Sequence, residues 1–215
     1  RMITLGSREE WLKNRKSGLG GSDIASVIGL NPFKSNIELW EEKTGRKQPE
    51  DISSKPFVQY GHDAEPHIRT LFGLDHPELQ VGYEDNNSWS NSDYPWAVAS
   101  LDGWLTDEDG RRGVLEIKTT EIMRDRDWDK WDKHIPDNYF CQVLFYMAVT
   151  DADFAWLRAH IRYSTRDEKR IAMRDYRIER SDVQPSIDYL MTEGRKFWNR
   201  NVLGNICPPL ILPSI

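Results

Sequence analysis

The chain has 215 residues, of which 30% are charged and 38% are hydrophobic, and this balance indicates a folded globular protein rather than a disordered one. Its length and even composition predict a single domain over residues 1–215. A formal net charge of −6 excludes a protein that coats nucleic acid through bulk attraction, but it permits local contacts. The two cysteines, Cys141 and Cys207, are too few for a disulfide framework or for a zinc or iron–sulfur centre built from thiolates.

No apolar run is long enough to cross a bilayer, and no signal peptide is recognisable. We therefore expect a cytoplasmic protein without membrane contact. Arg1 before Met2 is expected to be a remnant of cloning.

The N-terminal part contains two capping boxes, in each of which a serine is followed three residues later by a glutamate: Ser7 with Glu10, and Ser35 with Glu38. Each spacing predicts the start of a helix, and Gly18 and Gly45 predict where the two helices end. Between them, GLGGSDIASVIGL predicts a flexible turn and a short helix from about Ser22 to Ile28. The amides at such a helix start attract anions, although most starts of this kind are plain caps.

The segment KPFVQYGHDAEPHIRTLFG predicts a further helix. Apolar residues recur in it at helical spacing and are expected to face the core: Tyr60, Ala64, Ile68 and Leu71. Because proline is tolerated only in the first turn, Pro66 predicts that the helix restarts near His62 or bends. Glu65 lies at that point, and its position alone suggests a surface residue.

The stretches AVASLDGWL and VLEIKTT, joined by the turn-rich TDEDGRRG, predict a β-hairpin. It places Asp102 late in the first strand and Glu116 in the second, with thirteen residues between them. Facing side chains in such a pair lie about 5 Å apart, so both carboxylates could bind one ion. Alternation puts Val114, Glu116 and Lys118 on one face of the second strand, where a plain surface ion pair is the alternative interpretation.

The stretch IPDNYFCQVLFYMAVT predicts a helix buried against the sheet. Gln142 is its one interior polar residue, and the partner of that amide could be backbone, water or a ligand of a site.

A second hairpin is predicted by DFAWLRAHIRY and RIAMRDYRIER, whose arginines could line one face. From Trp156 to Arg180 there are eight Arg and Lys against four Asp and Glu, which fits either a solvated hairpin or a phosphate-facing one. SIDYLMTEGRKFWNRN predicts a C-terminal helix, and the tail CPPLILPSI is expected to dock on a neighbour or to fray.

These carboxylates could serve phosphodiester hydrolysis, which needs a nucleophilic water, charge neutralisation and support for the leaving oxygen. Two divalent ions can supply all three. Asp102, Glu116 and the carbonyl of Ile117 would offer the oxygen ligands that Mg²⁺ prefers, and Mn²⁺ accepts the same ligands. Lys118 would orient the attacking water or help to deprotonate it.

Seven motifs follow one another along the chain: W-x3-R at 11–15, GGSDIASVIGLNPF at 20–33, LWEEKTG at 39–45, YGHDAEPHIR at 60–69, SLDG at 100–103, LEIK at 115–118 and IP-x2-Y-x2-Q at 135–142. Together they resemble the lambda-exonuclease and YqaJ-like viral recombinase family of the PD-(D/E)xK nuclease superfamily. The resemblance implies an α/β (α+β) fold, with a restriction-endonuclease-like central mixed β-sheet flanked by helices.

The resemblance also implies an activity. It is a Mg²⁺-dependent 5′→3′ exonuclease that digests linear double-stranded DNA and leaves 3′ single-stranded overhangs for phage-type recombination. The implied cofactors are two Mg²⁺ ions per site. The implied partners are DNA ends with a 5′-phosphate, a single-strand annealing protein and two further copies of the chain in a homotrimeric ring. The implied location is the cytoplasm of a bacterial host, with the gene carried by a phage or prophage.

Carried over by position, the resemblance implies that Asp102, Glu116 and the Ile117 carbonyl bind the metal. It implies that Lys118 is the catalytic lysine. Glu65 matches the glutamate near the second ion, and Gln142 matches the active-site glutamine. The residues matched to the 5′-phosphate site are Arg15, Ser22, Ser100 and Arg124.

The chain departs from the family pattern at two positions. Leu101 stands where the pattern usually has proline, and Pro66 directly follows Glu65, which puts the geometry of the second metal in question. Two other functions compete with the exonuclease. One is an endonuclease of the same fold, and the other is a non-catalytic protein that binds DNA ends.

Overall fold

A central five-stranded sheet carries helices on both faces in the computed structural model, which describes residues 1–165 and 168–212. The strands are β1 (Met2–Thr4), β2 (Gln80–Gly82), β3 (Asn87–Trp89), β4 (Gly103–Thr106), β5 (Arg112–Ile122), β6 (Phe154–Ser164) and β7 (Lys169–Glu179). The α-helices are α1 (Arg8–Lys16), α2 (Gly21–Val27), α3 (Asn36–Lys43), α4 (Pro56–Asp75), α5 (Asp137–Thr150) and α6 (Arg180–Lys196). A 3₁₀ helix spans Asp125–Trp131, and a π-helical segment, Phe197–Leu203, continues α6.

The sheet order is β2-β4-β5-β6-β7, and β1 pairs with β3 outside it. The β5–β6 pair is parallel, whereas the other neighbours in this sheet are antiparallel. Helix α5 lies between β5 and β6 in the chain, as a parallel connection requires. The architecture confirms the predicted mixed sheet flanked by helices.

Two apolar clusters cover the two faces of the sheet. Val114 of β5 belongs to the large cluster that contains α5, whereas Leu115 and Ile117 belong to a smaller cluster with Ile68 and Phe72 of α4. The predicted alternation along β5 is therefore confirmed. Glu116 and Lys118 share the face of Val114 and point towards α5.

The capping predictions hold, since the side-chain oxygens of Ser7 and Ser35 accept hydrogen bonds from the amides three residues on. Helix α4 corrects two predictions. It runs unbroken through Pro66, so it does not restart near His62. Leu71 is 41% exposed, and Phe72 is fully buried in its place. Phe72 follows Ile68 by four residues and so continues the row of core residues, whereas Leu71 is rotated away from the sheet.

The first hairpin forms, but its first strand is shorter than predicted. Strand β4 begins at Gly103, so Asp102 lies just before the strand rather than late within it. The preceding residues make isolated bridges instead, between Ala97 and Leu19 and between Ala99 and Trp89. This part of the predicted strand therefore forms backbone bridges with residues outside the five-stranded sheet.

The second hairpin, β6–β7, is confirmed, but the prediction that its arginines line one face is wrong. Arg158 pairs with Asp175 in the register, so Arg158 and Arg177 lie on one face, and Arg174 lies on the other. Arg158 is bound by two carboxylates, those of Asp75 and Asp175. Arg162, Arg174 and Arg177 also form ion pairs with nearby carboxylates, which favours the solvated hairpin over the phosphate-facing one. Residues 166 and 167 lie outside the described residues.

The C-terminal helix is confirmed, and the tail docks on its own chain. Buried Asn36 donates from Nδ2 to the carbonyl of Pro209 (2.7 Å) and accepts at Oδ1 from the amide of Ile211 (3.1 Å). The tail was expected either to dock on a neighbouring molecule or to fray. Up to residue 212 it does neither, because it packs on its own chain. Residues 213–215 lie outside the described part. Within the described chain, no helix is both long and apolar enough to cross a membrane.

Candidate active site

Asp102 and Glu116 lie side by side at the start of the β4–β5 hairpin. Gly103 is opposite Leu115, and extending this antiparallel register by one residue places Asp102 opposite Glu116. The carboxylate of Asp102 is fixed by the next residue of β5, because its Oδ2 accepts the amide of Ile117 at 2.9 Å. The structure thus brings together the two carboxylates that the sequence predicts, and the Ile117 amide binds one of them.

Glu116, Lys118 and Gln142 form a closed triangle of contacts. Lys118 Nζ lies 2.8 Å from Glu116 Oε1 and donates to Gln142 Oε1 at 2.9 Å. Gln142 Nε2 donates in turn to Glu116 Oε1 at 2.9 Å. The amide of Gln142 is therefore oriented by a donor on one side and an acceptor on the other. Since Glu116 is only 2% exposed, the interpretation of a plain surface ion pair is wrong.

The buried ionisable groups of this site shift one another's pKa values. Burial and then the neighbouring Asp102 carboxylate raise the pKa of Glu116 to about 8. Burial likewise raises the pKa of Asp102, against the opposing attraction of Lys118. For Lys118, burial favours the neutral amine, but the carboxylates of Glu116 and Asp102 outweigh it and raise the pKa. Two crowded carboxylates beside one lysine form an electrostatic environment that stabilises added positive charge.

Glu65 joins this group from α4, so the expectation of a plain surface residue is wrong. Burial, followed by repulsion from Asp102, raises the pKa of Glu65 to about 7. Glu65 forms an ion pair with Arg69, one helical turn further on. Arg69 also donates from Nε to the backbone carbonyl of Asp102 and so links α4 to the hairpin.

The donor set fits one hard divalent cation. Glu116 Oε2 is buried and has no hydrogen-bond partner among the residues that the structure describes. The same residues contain no group of three or more His, Cys, Asp or Glu side chains arranged to hold a metal. Asp102, Glu116 and the Ile117 carbonyl would therefore leave several positions to water, as Mg²⁺ allows. Glu65 is engaged by Arg69, so the ligands of a second ion are less complete than those of the first.

The structure connects two of the four residues expected at a phosphate site. Trp11 donates from Nε1 to Ser100 Oγ at 2.9 Å, and the Arg15 guanidinium lies over the Trp11 ring at 4.6 Å from its centroid. Ser22 in α2 and Arg124 before the 3₁₀ helix are exposed. In the described chain, no hydrogen bond or ion pair joins either of them to Arg15 or Ser100. Trp11 therefore connects Arg15 to Ser100, and this role was not predicted. The W-x3-R motif includes both Trp11 and Arg15.

The glycine-rich turn before α2 is held by its own charges. Asp23 accepts the amide of Gly20 at 2.9 Å and forms an ion pair with Lys43 at 2.8 Å. Lys43 also donates to the carbonyl of Gly18 at 2.8 Å. The first amide of the turn is therefore occupied by a carboxylate, which weakens the predicted attraction of this turn for an anion.

Sequence reasoning also missed Arg69 and Tyr146. Each lies four residues after a predicted site residue, on the same side of its helix: Arg69 after Glu65, and Tyr146 after Gln142. The helical spacing was visible in the sequence and could have indicated both contacts.

Comparison with known proteins agrees with this geometry. Residues 10–153 match the model of the YqaJ-like viral recombinase domain. The chain is 30% identical over 207 residues to protein YqaJ of Bacillus subtilis (strain 168), an alignment covering 95% of this chain and 59% of the relative. It is 30% identical over 155 residues to protein R354 of Acanthamoeba polyphaga mimivirus, covering 67% and 27% of the two chains. The chain thus spans less than two thirds of either relative.

Solved structures of similar fold include an alkaline exonuclease, LHK-Exo from Laribacter hongkongensis, with a TM-score of 0.68 and 21% identity over 92% of this chain and 94% of that one. The phage-related exonuclease of Haemophilus somnus 129PT gives a TM-score of 0.56 at 14% identity, covering 87% and 96% of the two chains. At these identities the likeness shows the restriction-endonuclease-like fold. The matched family domain extends over well more than half of the residues, and the chain belongs to the YqaJ-like viral recombinase family.

Proposed function

We propose that this protein is a Mg²⁺-dependent 5′→3′ exonuclease of linear double-stranded DNA, which leaves 3′ single strands for recombination by annealing. One observation carries the proposal. Buried Asp102 and Glu116 lie side by side on a hairpin, with Lys118 2.8 Å from Glu116, in a fold also found in alkaline exonucleases. A buried carboxylate pair with an unpartnered oxygen is costly unless a cation joins it.

Asp102, Glu116 and the Ile117 carbonyl would hold one Mg²⁺ or Mn²⁺, and Glu65 would lie near a second ion. When bound, such ions supply charge neutralisation on the phosphate, a more acidic water and support for the leaving oxygen. Arg69 binds Oε1 of Glu65, so Oε2 is the oxygen that would face a second ion.

Lys118 acts on the attacking water. The carboxylates raise its pKa, so in the metal-free chain it is an ammonium that donates hydrogen bonds rather than a base. Once the carboxylate charges are neutralised, burial favours the neutral amine without opposition, and Lys118 can then accept a proton from water. Gln142 holds Lys118 in place through its amide oxygen.

Arg15, Ser22, Ser100 and Arg124 would bind the terminal 5′-phosphate and thereby place the next phosphodiester at the carboxylates. A shortened strand can bind again only if its new end also carries a phosphate. The water oxygen therefore bonds to phosphorus, the P–O3′ bond breaks, and the leaving 3′ oxygen takes up a proton. Each cycle releases a nucleotide with a 3′-hydroxyl and leaves a 5′-phosphate on the remaining strand.

The proposed assembly is a homotrimeric ring around DNA, working with a single-strand annealing protein in the cytoplasm of a bacterial host. A ring would keep a chain of net charge −6 on its substrate by enclosure rather than by bulk attraction. The match to a viral recombinase domain supports a gene of phage or prophage origin. Sedimentation of the protein as a monomer at working concentration would argue against the ring.

The test uses linear duplexes with a 5′-phosphate or a 5′-hydroxyl, each strand labelled separately, beside closed circular DNA, all with Mg²⁺. We expect loss of the 5′-phosphorylated strand and intact circles. Cleaved circles would instead identify an endonuclease of the same fold. DNA-end binding without cleavage in Mg²⁺ or Mn²⁺ would identify the non-catalytic end-binding protein.

A further inference from the structure

Among the residues that the structure describes, none accepts the hydroxyl proton of Tyr146. Its oxygen accepts a hydrogen bond from Gln142 Nε2 at 2.9 Å, so the phenolic O–H must donate elsewhere. Among the described residues, no hydrogen bond has this hydroxyl as its donor. The side chain is only 5% exposed, and buried hydroxyls normally find a partner.

The position of this hydroxyl suggests what the partner is. On one side, Tyr146 shares the Gln142 amide with Glu116 of the carboxylate centre. On the other side, its ring lies against Gly21, where an added Cβ would come within 2.4 Å of Cε1. Gly21 precedes Ser22, one of the four residues expected to bind phosphate. Tyr146 thus lies between the two parts of the proposed site.

The charges around Tyr146 suit a donor to an anion. Burial, and then the Glu116 carboxylate, raise the pKa of Tyr146, while the Arg15 guanidinium opposes this shift. The phenol is therefore neutral at any working pH, and it lies within the influence of a cation assigned to phosphate. Burial of the ring and the hydrogen bond from Gln142 hold the hydroxyl oxygen in place before substrate arrives, so little reorganisation is needed on binding.

We infer that Tyr146 is a further substrate-binding residue, whose phenolic O–H donates to the terminal 5′-phosphate beside Arg15. This inference rests on the proposed function and adds a neutral donor to a site otherwise made of two arginines and two serines. A hydrogen bond to a charged group is stronger than one between neutral groups. Its loss should weaken recognition of the phosphorylated end and have far less effect on an end without phosphate.

The test compares wild type with Tyr146→Phe, which keeps the ring against Gly21 and removes the hydroxyl. We expect kcat/KM on the 5′-phosphorylated duplex to fall on the order of tenfold, so that the ratio over the 5′-hydroxyl duplex falls with it. Tyr189→Phe, which changes an exposed hydroxyl on α6, is the matched control and should keep the wild-type ratio. Equal losses on both duplexes would mean that Tyr146 only positions Gln142, and this would overturn the inference.

A binding measurement separates this inference from the proposed function. With Ca²⁺ in place of Mg²⁺ to prevent cleavage, fluorescence anisotropy gives the affinity for each duplex. A preference for the 5′-phosphate that Tyr146→Phe retains would overturn the inference alone. Absence of that preference in the wild type would contradict the proposed phosphate site as well.

Discussion

Glu116 Oε1 and Lys118 Nζ lie 2.8 Å apart, yet the second oxygen of this buried carboxylate has no partner in the described chain. An ion pair that merely stabilised the fold would engage both oxygens, because an unsatisfied buried acceptor is costly. Lys118 also donates to Gln142, while burial and the nearby Asp102 carboxylate raise the pKa of Glu116. This geometry is the physical basis for the cation site that we propose at the hairpin.

Replacing Lys118 by methionine keeps the length of the side chain and removes the ammonium group. We expect cleavage of linear duplex to fall by roughly 10²–10⁴-fold, because proton transfer or water positioning at Lys118 is lost. Binding of the same duplex in Ca²⁺ should change much less. Lys196→Met, at an exposed ion pair on α6, is the matched control. Normal cleavage by Lys118→Met would remove this residue from the mechanism.

The raised carboxyl pKa values predict how stability depends on pH. Glu65 and Glu116 have pKa values of about 7 and 8, against 4.5 as the ordinary value. The folded state therefore binds more protons than the unfolded state, and the stabilisation present below about pH 4.5 is lost as pH rises to about 8. Because Mg²⁺ binds the ionised forms, it should raise the melting temperature more at pH 8 than at pH 5. Thermal unfolding in EDTA and in Mg²⁺ at both pH values measures this difference, and an equal shift at both would contradict it.

Pro66 lies in the middle of the 20-residue helix α4, where it cannot donate a backbone hydrogen bond. Pro66→Ala should therefore raise the free energy of unfolding by up to about 3 kcal/mol, the difference between the two residues in a helix interior. Urea denaturation measures the change. A loss of stability would show that the proline is required by the packing of α4 rather than tolerated by it.

Arg158 links β6 to two other elements, since it contacts Asp75 at 2.8 Å and Asp175 at 2.6 Å with a side chain that is 3% exposed. Arg158→Met should destabilise the fold by about 1.5–3 kcal/mol, because it removes charge-assisted hydrogen bonds to two carboxylates that stay partly in water. Arg170→Met, which breaks an exposed pair with Glu168, should cost no more than about 1 kcal/mol. Chemical denaturation of both variants checks the contrast, and equal effects would contradict it.

Local signals in the sequence predicted local structure well. The serine capping boxes, the alternation along β5 and the all-apolar α5 each depend on neighbours within a few residues, and each is confirmed. The closeness of Asp102 and Glu116 also followed from a short hairpin, although the first strand begins one residue later than the aspartate.

Contacts between residues far apart in the chain could not be predicted from local patterns. The sequence left open whether the arginines of the second hairpin face solvent or phosphate, and the partner of Arg158 is Asp75, which is 83 residues away in the chain. Glu65 was placed at the surface because nothing near it in the sequence indicates burial, and its neighbour Asp102 comes from another element. Trp11 meets Ser100 across 89 residues, a contact that no periodicity in the sequence could indicate.

The most direct test of the account is cleavage of a 5′-phosphorylated linear duplex by wild type and by Asp102→Asn, each in Mg²⁺ and in EDTA. Asparagine keeps the shape of the side chain and removes the charge that a metal needs, while circular dichroism verifies the fold. We expect wild type to digest the duplex only with Mg²⁺ and the variant to be inactive in both conditions. Digestion by the variant at the wild-type rate, or by wild type in EDTA, would contradict a metal-dependent nuclease centre at Asp102 and Glu116.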